Sequence, residues 1–466
     1  MNLLRRLLQS SSNLFNLILF NNSIAQFYQR LFFSTKRNKN DSLVPAVNQY
    51  CFLDNTESFL PRDYPMTNGT FFISDTSRTN YQPNNNERVI FDVNSPIKPL
   101  HIMMLGLRGF PNVQGGVETH AEHLTPLLKN LDCSVEVLVR SPYQDKNIGN
   151  YWKGVKLTSL WAPKSKWLEA IIHTFIGVLY AAVKRPDVLH IHAVGPALLT
   201  PLARLLGLKV IVTHHGPDYD RQKWGKVAKC TLRVGEWFGM RFSNGRIVIS
   251  KVIQDLVSDK HAMTSEIIFN GVVMPNLNAP VSHLDQFGLQ KSKYILIVCR
   301  LVPEKRHLDL IQAFNQANIE GYKLAIVGSA EHLDDYVIQV SKAASLNKNI
   351  VMTGYQTGDV LKSLYEHAAL FVLPSSHEGL SISLLEALSY GLPVVASNIP
   401  ANLAVDLNPN CYFDLGNIDQ ITNLMQSNIL HPISDESKLD TRKWVASNFN
   451  WFKVAEKTVM QYKKLL

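Results

Sequence analysis

From Leu100 onward the chain alternates short apolar runs with longer stretches in which apolar residues recur every three or four positions. The runs Leu100–Leu105, Val135–Val139, Val155–Leu160, Val188–Ile191, Val210–Thr213 and Arg246–Ile249 predict the strands of a first half. Tyr294–Val298, Lys323–Val327, Ile350–Thr353, Leu370–Leu373 and Val394–Ala396 predict those of a second. Their apolar positions are consecutive rather than alternating, as in strands covered on both faces. Helical spacing marks Glu118–Lys129 and Ala170–Lys184, then His307–Ala317, Asp335–Ser345, Val360–His367 and Ser383–Tyr390. Strand and helix in turn build βαβ units around parallel sheets. The expected fold is therefore α/β, with two Rossmann-like, doubly wound domains facing across a cleft. Asn, Gly and Pro cluster at Asn270–Pro280, where the two halves join. Such sheets bind ligands at the carboxyl ends of their strands, so the cleft is the expected site.

Charge changes the picture at the N-terminus only. Residues 1–40 hold Arg5, Arg6, Arg30, Lys36, Arg37 and Lys39 and no acid, so most of the formal net charge of +9 sits there. The high pI thus gives no reason to expect nucleic acid as a partner of the folded body. Residues 1–37 form a basic amphipathic segment with Leu3, Leu4, Leu7 and Leu8, then Leu14 to Leu19. An acid-free start of this kind reads as an organellar transit peptide, with Arg30-Leu-Phe-Phe-Ser34 as a matrix-protease cleavage region, or as a helix lying on a membrane surface, or as a tail without function. Residues 38–97, with Asn84-Asn85-Asn86 and five scattered prolines, read as a low-order linker. No apolar run reaches the roughly 18 residues of a membrane span. The five cysteines are scattered and form no CxxC pair, which points away from a disulfide framework and toward a reducing compartment. The expected location is the cytoplasm or the cytoplasmic face of a membrane, with the mitochondrion the alternative that a transit peptide would imply.

Four segments carry candidate chemistry. The first is His377-Glu378-Gly379-Leu380-Ser381-Ile382-Ser383-Leu384-Leu385-Glu386-Ala387, which follows a strand and opens a helix. The free backbone N–H groups at Leu380–Ser383 make a phosphate site, Gly379 lets backbone approach a ligand, and Glu386 is suited to two vicinal hydroxyls. The second is Cys299-Arg300-Leu-Val-Pro-Glu304-Lys305-Arg306, where Arg300 and Lys305 would neutralise a departing diphosphate. The third is Arg108–Thr119, whose Gly115 and Gly116 bring backbone amides to donor or acceptor; it is not GxGxxG, which disfavours a dinucleotide fold. The fourth is Thr213-His214-His215-Gly216-Pro217-Asp218-Tyr219-Asp220. Its adjacent histidines and its DxD triplet are weak grounds for a metal, and none is expected.

The Glu378–Glu386 stretch resembles the E-x7-E signature of retaining GT-B glycosyltransferases of family 4, a likeness that extends over about residues 100–466. The resemblance implies that Glu378 contacts the transferred sugar and Glu386 binds the ribose. It implies that Arg300 and Lys305 serve the diphosphate, that His215 is the cleft histidine under the donor sugar, and that Gly354-Tyr355 forms the base-binding loop. The pattern often has Gly where Arg306 stands. Gly115-Gly-Val-Glu-Thr, Tyr151-Trp-Lys-Gly-Val, Lys164-Ser-Lys, His190-Ile-His-Ala-Val-Gly-Pro and Lys223-Trp-Gly resemble the N-terminal domain of bacterial surface-polysaccharide glycosyl- and rhamnosyltransferases. In that likeness His190 and His192 either line the cleft or pack at a strand end. The implied division is an acceptor domain over 98–272, a donor domain over 273–440 and, over 441–466, a helix crossing back to the first domain. Trp444, Phe449, Trp451, Val454, Tyr462 and Leu465 give it its apolar face. The implied reaction moves a hexose or deoxyhexose from a UDP-, GDP- or dTDP-linked donor to a hydroxyl of a glycan or lipid-linked acceptor, with retention and without metal or other cofactor. A nucleotide-sugar epimerase of the same fold and a non-catalytic sugar-binding protein are the rival readings.

Overall fold

The computed structural model describes residues 98–144, 147–163, 168–220, 225–330 and 335–466. The expectations for residues 1–37 and 38–97, and the Lys164-Ser-Lys and Lys223-Trp-Gly segments, lie outside the described residues or at their edges.

The first lobe contains β1 (Leu100–Leu105), α1 (Gly116–Asn130), β2 (Cys133–Arg140), β3 (Tyr151–Trp152), β4 (Val155–Leu160), α2 (Glu169–Lys184), β5 (Val188–His192), α3 (Thr200–Leu205), β6 (Val210–His214), α4 (Lys226–Phe242), β7 (Gly245–Val248), α5 (Lys251–His261) and β8 (Glu266–Ile267). Its eight strands are ordered β3-β4-β2-β1-β5-β6-β7-β8. All neighbours are parallel except the β3–β4 hairpin. The second lobe contains β9 (Tyr294–Val298), α6 (His307–Ala317), β10 (Lys323–Val327), α7 (Asp335–Ser345), β11 (Ile350–Gly354), α8 (Gly358–Glu366), β12 (Leu370–Leu373), α9 (Ile382–Ser389), β13 (Val394–Ser397), α10 (Pro400–Leu403), β14 (Tyr412–Phe413) and α11 (Ile418–Leu430). Its six strands run parallel in the order β11-β10-β9-β12-β13-β14.

In each sheet the chain begins in the middle, builds outward, then returns to the other side of its first strand. Ile102 of β1 therefore lies opposite both Val135 of β2 and Val188 of β5. Leu296 of β9 lies opposite both Ala325 of β10 and Phe371 of β12. The loops leaving the two central strands of each sheet diverge at this switch point and open a crevice. The crevices of both lobes meet in one cleft.

The end of the chain differs from the single helix expected over 441–466. It is two helices, α12 (Asp435–Asn448) and α13 (Trp451–Lys463). Asn450 breaks them apart: its side chain accepts hydrogen bonds from the N–H groups of Phe452 and Lys453 and so caps α13. Trp444, Val445 and Phe449 join an apolar cluster with α9 of the second lobe, whereas Trp451, Val454, Val459 and Tyr462 are buried with β1, β2 and α1 of the first. The return crossing thus occurs at Phe449–Asn450. There it runs beside the outward crossing, with the Val272 N–H donating to the Phe449 carbonyl at 2.8 Å.

Candidate functional site

The cleft encloses about 1220 Å³ and is lined from both lobes. Of the residues singled out from sequence, His215, Glu378, Arg300, Lys305, Gly115, Gly116, Tyr355, Gly379, Leu380, Ser381 and Glu386 all line it. Gly354 does not. It ends β11 at φ 73°, and its carbonyl accepts a hydrogen bond from the Gly328 N–H at 2.8 Å. It shapes the turn that carries Tyr355, and Tyr355 itself is at the wall.

Glu378 and Lys305 form an ion pair between two loops of the second lobe, with side chains only 10% and 13% exposed. Burial pushes the Glu378 carboxyl up, but the Lys305 ammonium more than offsets this and holds it below its ordinary value. The loops are also joined through backbone, because Ser376 N–H donates to the Glu304 carbonyl at 2.8 Å. Arg300 precedes this turn on the same cleft wall. Arg306 lies outside the lining. It adopts a left-handed conformation, φ 51° and ψ 42°, which explains why glycine suits the position, and its guanidinium pairs with Asp309.

Ser381 caps α9 through a bond from the Leu384 N–H, leaving the first turn of the helix at the cleft. One turn on, Glu386 accepts a hydrogen bond from the Tyr365 hydroxyl at 2.9 Å. Burial raises its pKa to about 7, only partly opposed by that bond. The N-terminus of α1 approaches from the other lobe. A side chain at Gly115 would run into the Arg108–Glu118 ion pair, whereas Gly116 has open space around it.

Gly379 lines the cleft and meets a second demand there. A Cβ there would lie 2.1 Å from the backbone carbonyl oxygen of His215 in the opposite lobe. Two further contacts cross the cleft. Ser329 Oγ donates to Gln114 Oε1 at 3.1 Å, and Asn270 Nδ2 donates to the Leu380 carbonyl at 3.0 Å.

The two histidines of the fourth segment part company. His214 is fully buried and bonds Glu236 at 3.0 Å, in a network that Tyr219, Lys260 and His261 complete. His215 faces the cleft, and its Nε2 lies 3.0 Å from His192 Nδ1. Burial, then neighbouring histidines, keep both rings neutral at pH 7. His190 is a packing residue, bonded to Thr213 at 2.6 Å and to Tyr462 of α13 at 2.7 Å. His192 supports His215 from behind. Asp218 lines the cleft, while Asp220 is exposed to solvent.

The sequence reading missed His120 and Asn270. His120, buried on α1, meets Asn270 Oδ1 at 2.9 Å and packs against His215 and Trp451. Asn270 thereby links α1, the interlobe crossing and the Leu380 loop. The available signal was its place at the start of the Asn/Gly/Pro join.

Comparison with known proteins places these features in a family. Residues 114–274 match the family model described as Glycosyltransferase Family 4, and residues 283–423 match that of Glycosyl transferases group 1. The chain is 26% identical over 305 residues to an Escherichia coli UDP-Gal:alpha-D-GlcNAc-diphosphoundecaprenol alpha-1,3-galactosyltransferase, covering 60% of this chain and 76% of that protein. It is 29% identical to O-antigen chain mannosyltransferase B of Escherichia coli, over 39% of this chain and 49% of that protein. Among solved structures, sucrose-phosphate synthase from Thermosynechococcus elongatus superposes with a TM-score of 0.67 at 19% identity, over 78% of this chain and 99% of the other. Anabaena HepE, in complex with UDP and glucose, does so with a TM-score of 0.64 at 16% identity, over 78% and 100%. With two matching family models laid end to end along its two lobes, and with this fold, the chain belongs to the group 1, family 4 glycosyltransferases of GT-B architecture.

Proposed function

We propose that this glycosyltransferase moves a hexose or deoxyhexose from a nucleoside-diphosphate sugar to a hydroxyl of a glycan or lipid-linked acceptor, with retention at the anomeric carbon. The observation that carries the reading is the convergence of Arg300, the Lys305–Glu378 pair, the first turn of α9 and Glu386 on one wall of the cleft. Arg300 and Lys305 would take up the charge that grows on the leaving diphosphate. Glu378 would meet the transferred sugar, Glu386 the ribose and Tyr355 the base. His215, held neutral by its surroundings, suits a positioning role beneath the sugar rather than that of a charged partner. The galactosyltransferase and HepE, whose names and ligands include a UDP sugar or UDP, support this donor class.

The deciding experiment is nucleoside-diphosphate release from UDP-, GDP- and dTDP-sugars with and without candidate acceptors. Release that requires acceptor supports transfer. Interconversion of the sugar without acceptor would mean an epimerase, and binding without turnover a scaffold. Turnover is expected to survive EDTA, because Arg300 and Lys305 supply the positive charge that a metal would otherwise bring. Among the described residues, His120, His192 and His215 hold ligand atoms within 4.8 Å of one another. Loss of activity in EDTA with rescue by Zn²⁺ or Mn²⁺ would overturn the metal-free reading and direct attention to that cluster.

Glu386 supplies a pH test. Its pKa is raised from 4.5 to about 7, so below neutral pH the buried carboxyl is mostly protonated. Its contribution to stability is full below the ordinary value and is lost as pH rises through 7. Ribose hydroxyls donating to the carboxylate would drive the proton off. Nucleoside-diphosphate affinity is therefore expected to rise between pH 6 and 8, by up to about tenfold per pH unit below the pKa. Calorimetry should show proton release on binding. Glu386→Gln should bind more weakly and lose this component, and an unchanged slope in that variant would exclude the ribose assignment.

A further inference from the structure

The helices α2, α3 and α4 cover one face of the first-lobe sheet, burying Val178, Ala181, Ala203 and Met240 against it. Their opposite, outward side is unusual for a surface. On α2, Phe175, Leu179 and Val183 follow one another at helical spacing and are 46%, 42% and 82% exposed. Leu205 at the end of α3 is 87% exposed, and Trp237 and Phe242 of α4 are 44% and 40% exposed. Exposed apolar side chains gathered on helices that pack side by side mark a docking surface.

Basic residues crowd this face. Lys184, Arg185, Arg204, Lys226, Arg233 and Arg241 are exposed on or beside these helices. The only acids within the three helices are Glu169, paired with Arg140, and Glu236, fully buried under His214 and Lys260. Acids return at the borders of the face, with exposed Asp255 and Asp259 on α5 and exposed Asp220 in the turn packed on α4. The face is also continuous with the cleft. Leu168 and Ile171 at the start of α2, and Ala228 and Leu232 at the start of α4, line the cleft wall.

We infer that the outer face of α2, α3 and α4 docks on an anionic lipid bilayer, the apolar side chains entering the interface and the surrounding lysines and arginines meeting the headgroups. Apolar burial and anionic attraction act together in such binding, and neither suffices alone. The orientation sets the first-lobe side of the cleft at headgroup level, where a hydroxyl borne on a lipid-linked acceptor would be presented. The inference goes beyond the proposed reaction, because bilayer binding is read with neither donor nor acceptor present and fails independently of turnover.

The test is co-sedimentation of the full chain with vesicles of phosphatidylcholine alone or mixed with phosphatidylglycerol. The wild-type chain is expected on the anionic vesicles, less so as salt is raised. F175Q/L179Q, two exposed changes compatible with a helix, should lower the bound fraction about tenfold with melting temperature and nucleotide binding unchanged. K184E/R241E should remove the preference for anionic vesicles and serves as the second arm should the first variant fold poorly. Wild-type-like vesicle binding by both variants would overturn the assignment and move any membrane contact elsewhere in the chain, residues 1–37 included. Absence of binding in the wild type, with a dimer that F175Q/L179Q converts to monomer, would overturn it in favour of an interface between copies.

Discussion

Lys305→Ala and Arg300→Ala are each expected to lower turnover about 10²–10³-fold, the scale of losing one preorganised charge partner of a transition state. The two should differ in their pH behaviour. Lys305 is the counter-charge that keeps the buried Glu378 carboxyl below its ordinary pKa. Without it, desolvation is the dominant influence and the carboxyl titrates higher. A kcat profile of Lys305→Ala should therefore show an acid limb displaced toward neutral pH, whereas Arg300→Ala should not displace it. The stability arising from the pair has the opposite dependence to that of Glu386. Because the folded pKa of Glu378 is depressed, the contribution is present above about 4.5 and is lost as pH falls through the folded value. Lys305→Arg should recover part of the rate. Near-wild-type turnover in both alanine variants would remove the diphosphate role from these residues.

Gly379→Ala is expected to cost about 10²-fold in kcat, comparable to a 1 Å misplacement of reacting groups. The added methyl would sit 2.1 Å from the His215 carbonyl, where neither partner is a flexible side chain. Something must shift, and what meets there is the His215 loop of one lobe and the Glu378 loop of the other. The shift would separate His215 from Glu378 and disturb the Asn270–Leu380 bond beside them. Nucleoside-diphosphate affinity should fall much less, because the wall bearing Arg300, Lys305 and Glu386 belongs to the second lobe alone. Gly225→Ala is the control, since its Cβ would meet nothing within 4 Å and the residue lies outside the cleft lining. A Gly379→Ala enzyme with wild-type kcat would show that the two loops need not touch during turnover.

Both experiments turn on contacts that differ in how far the sequence announces them. The buried parallel strands are legible because they are apolar at consecutive positions, and β1, β4, β9, β10 and β12 run over the residues read from the pattern. The pattern marks none of α3, α4, α5, α10 and α11. In α4 the reason is physical: Val227, Trp237 and Phe242 are exposed, so apolar residues occur on more than one side and the period is blurred. The single C-terminal helix failed at Asn450, where a local side-chain cap overrode an otherwise continuous apolar repeat.

By itself the sequence determined the two α/β halves, the join near Asn270 and the candidate residues at strand ends. These follow from local pattern: runs of apolar residues, a glycine before a helix, charge on a strand-end loop. The resemblance already points to His215 of the His214–His215 pair, but only the tertiary structure supplies the reason that its neighbour turns away from the cleft. That depends on Glu236, 22 residues away, capturing His214 in the core. Only the tertiary structure paired Lys305 with Glu378 across 73 residues, and it added to Gly379 the need to leave room for the other lobe. A sequence pattern reports what one element needs from its immediate surroundings. Which distant group supplies that need is fixed by the order of the strands and the two adjacent crossings, and these exist only once both lobes have folded against each other.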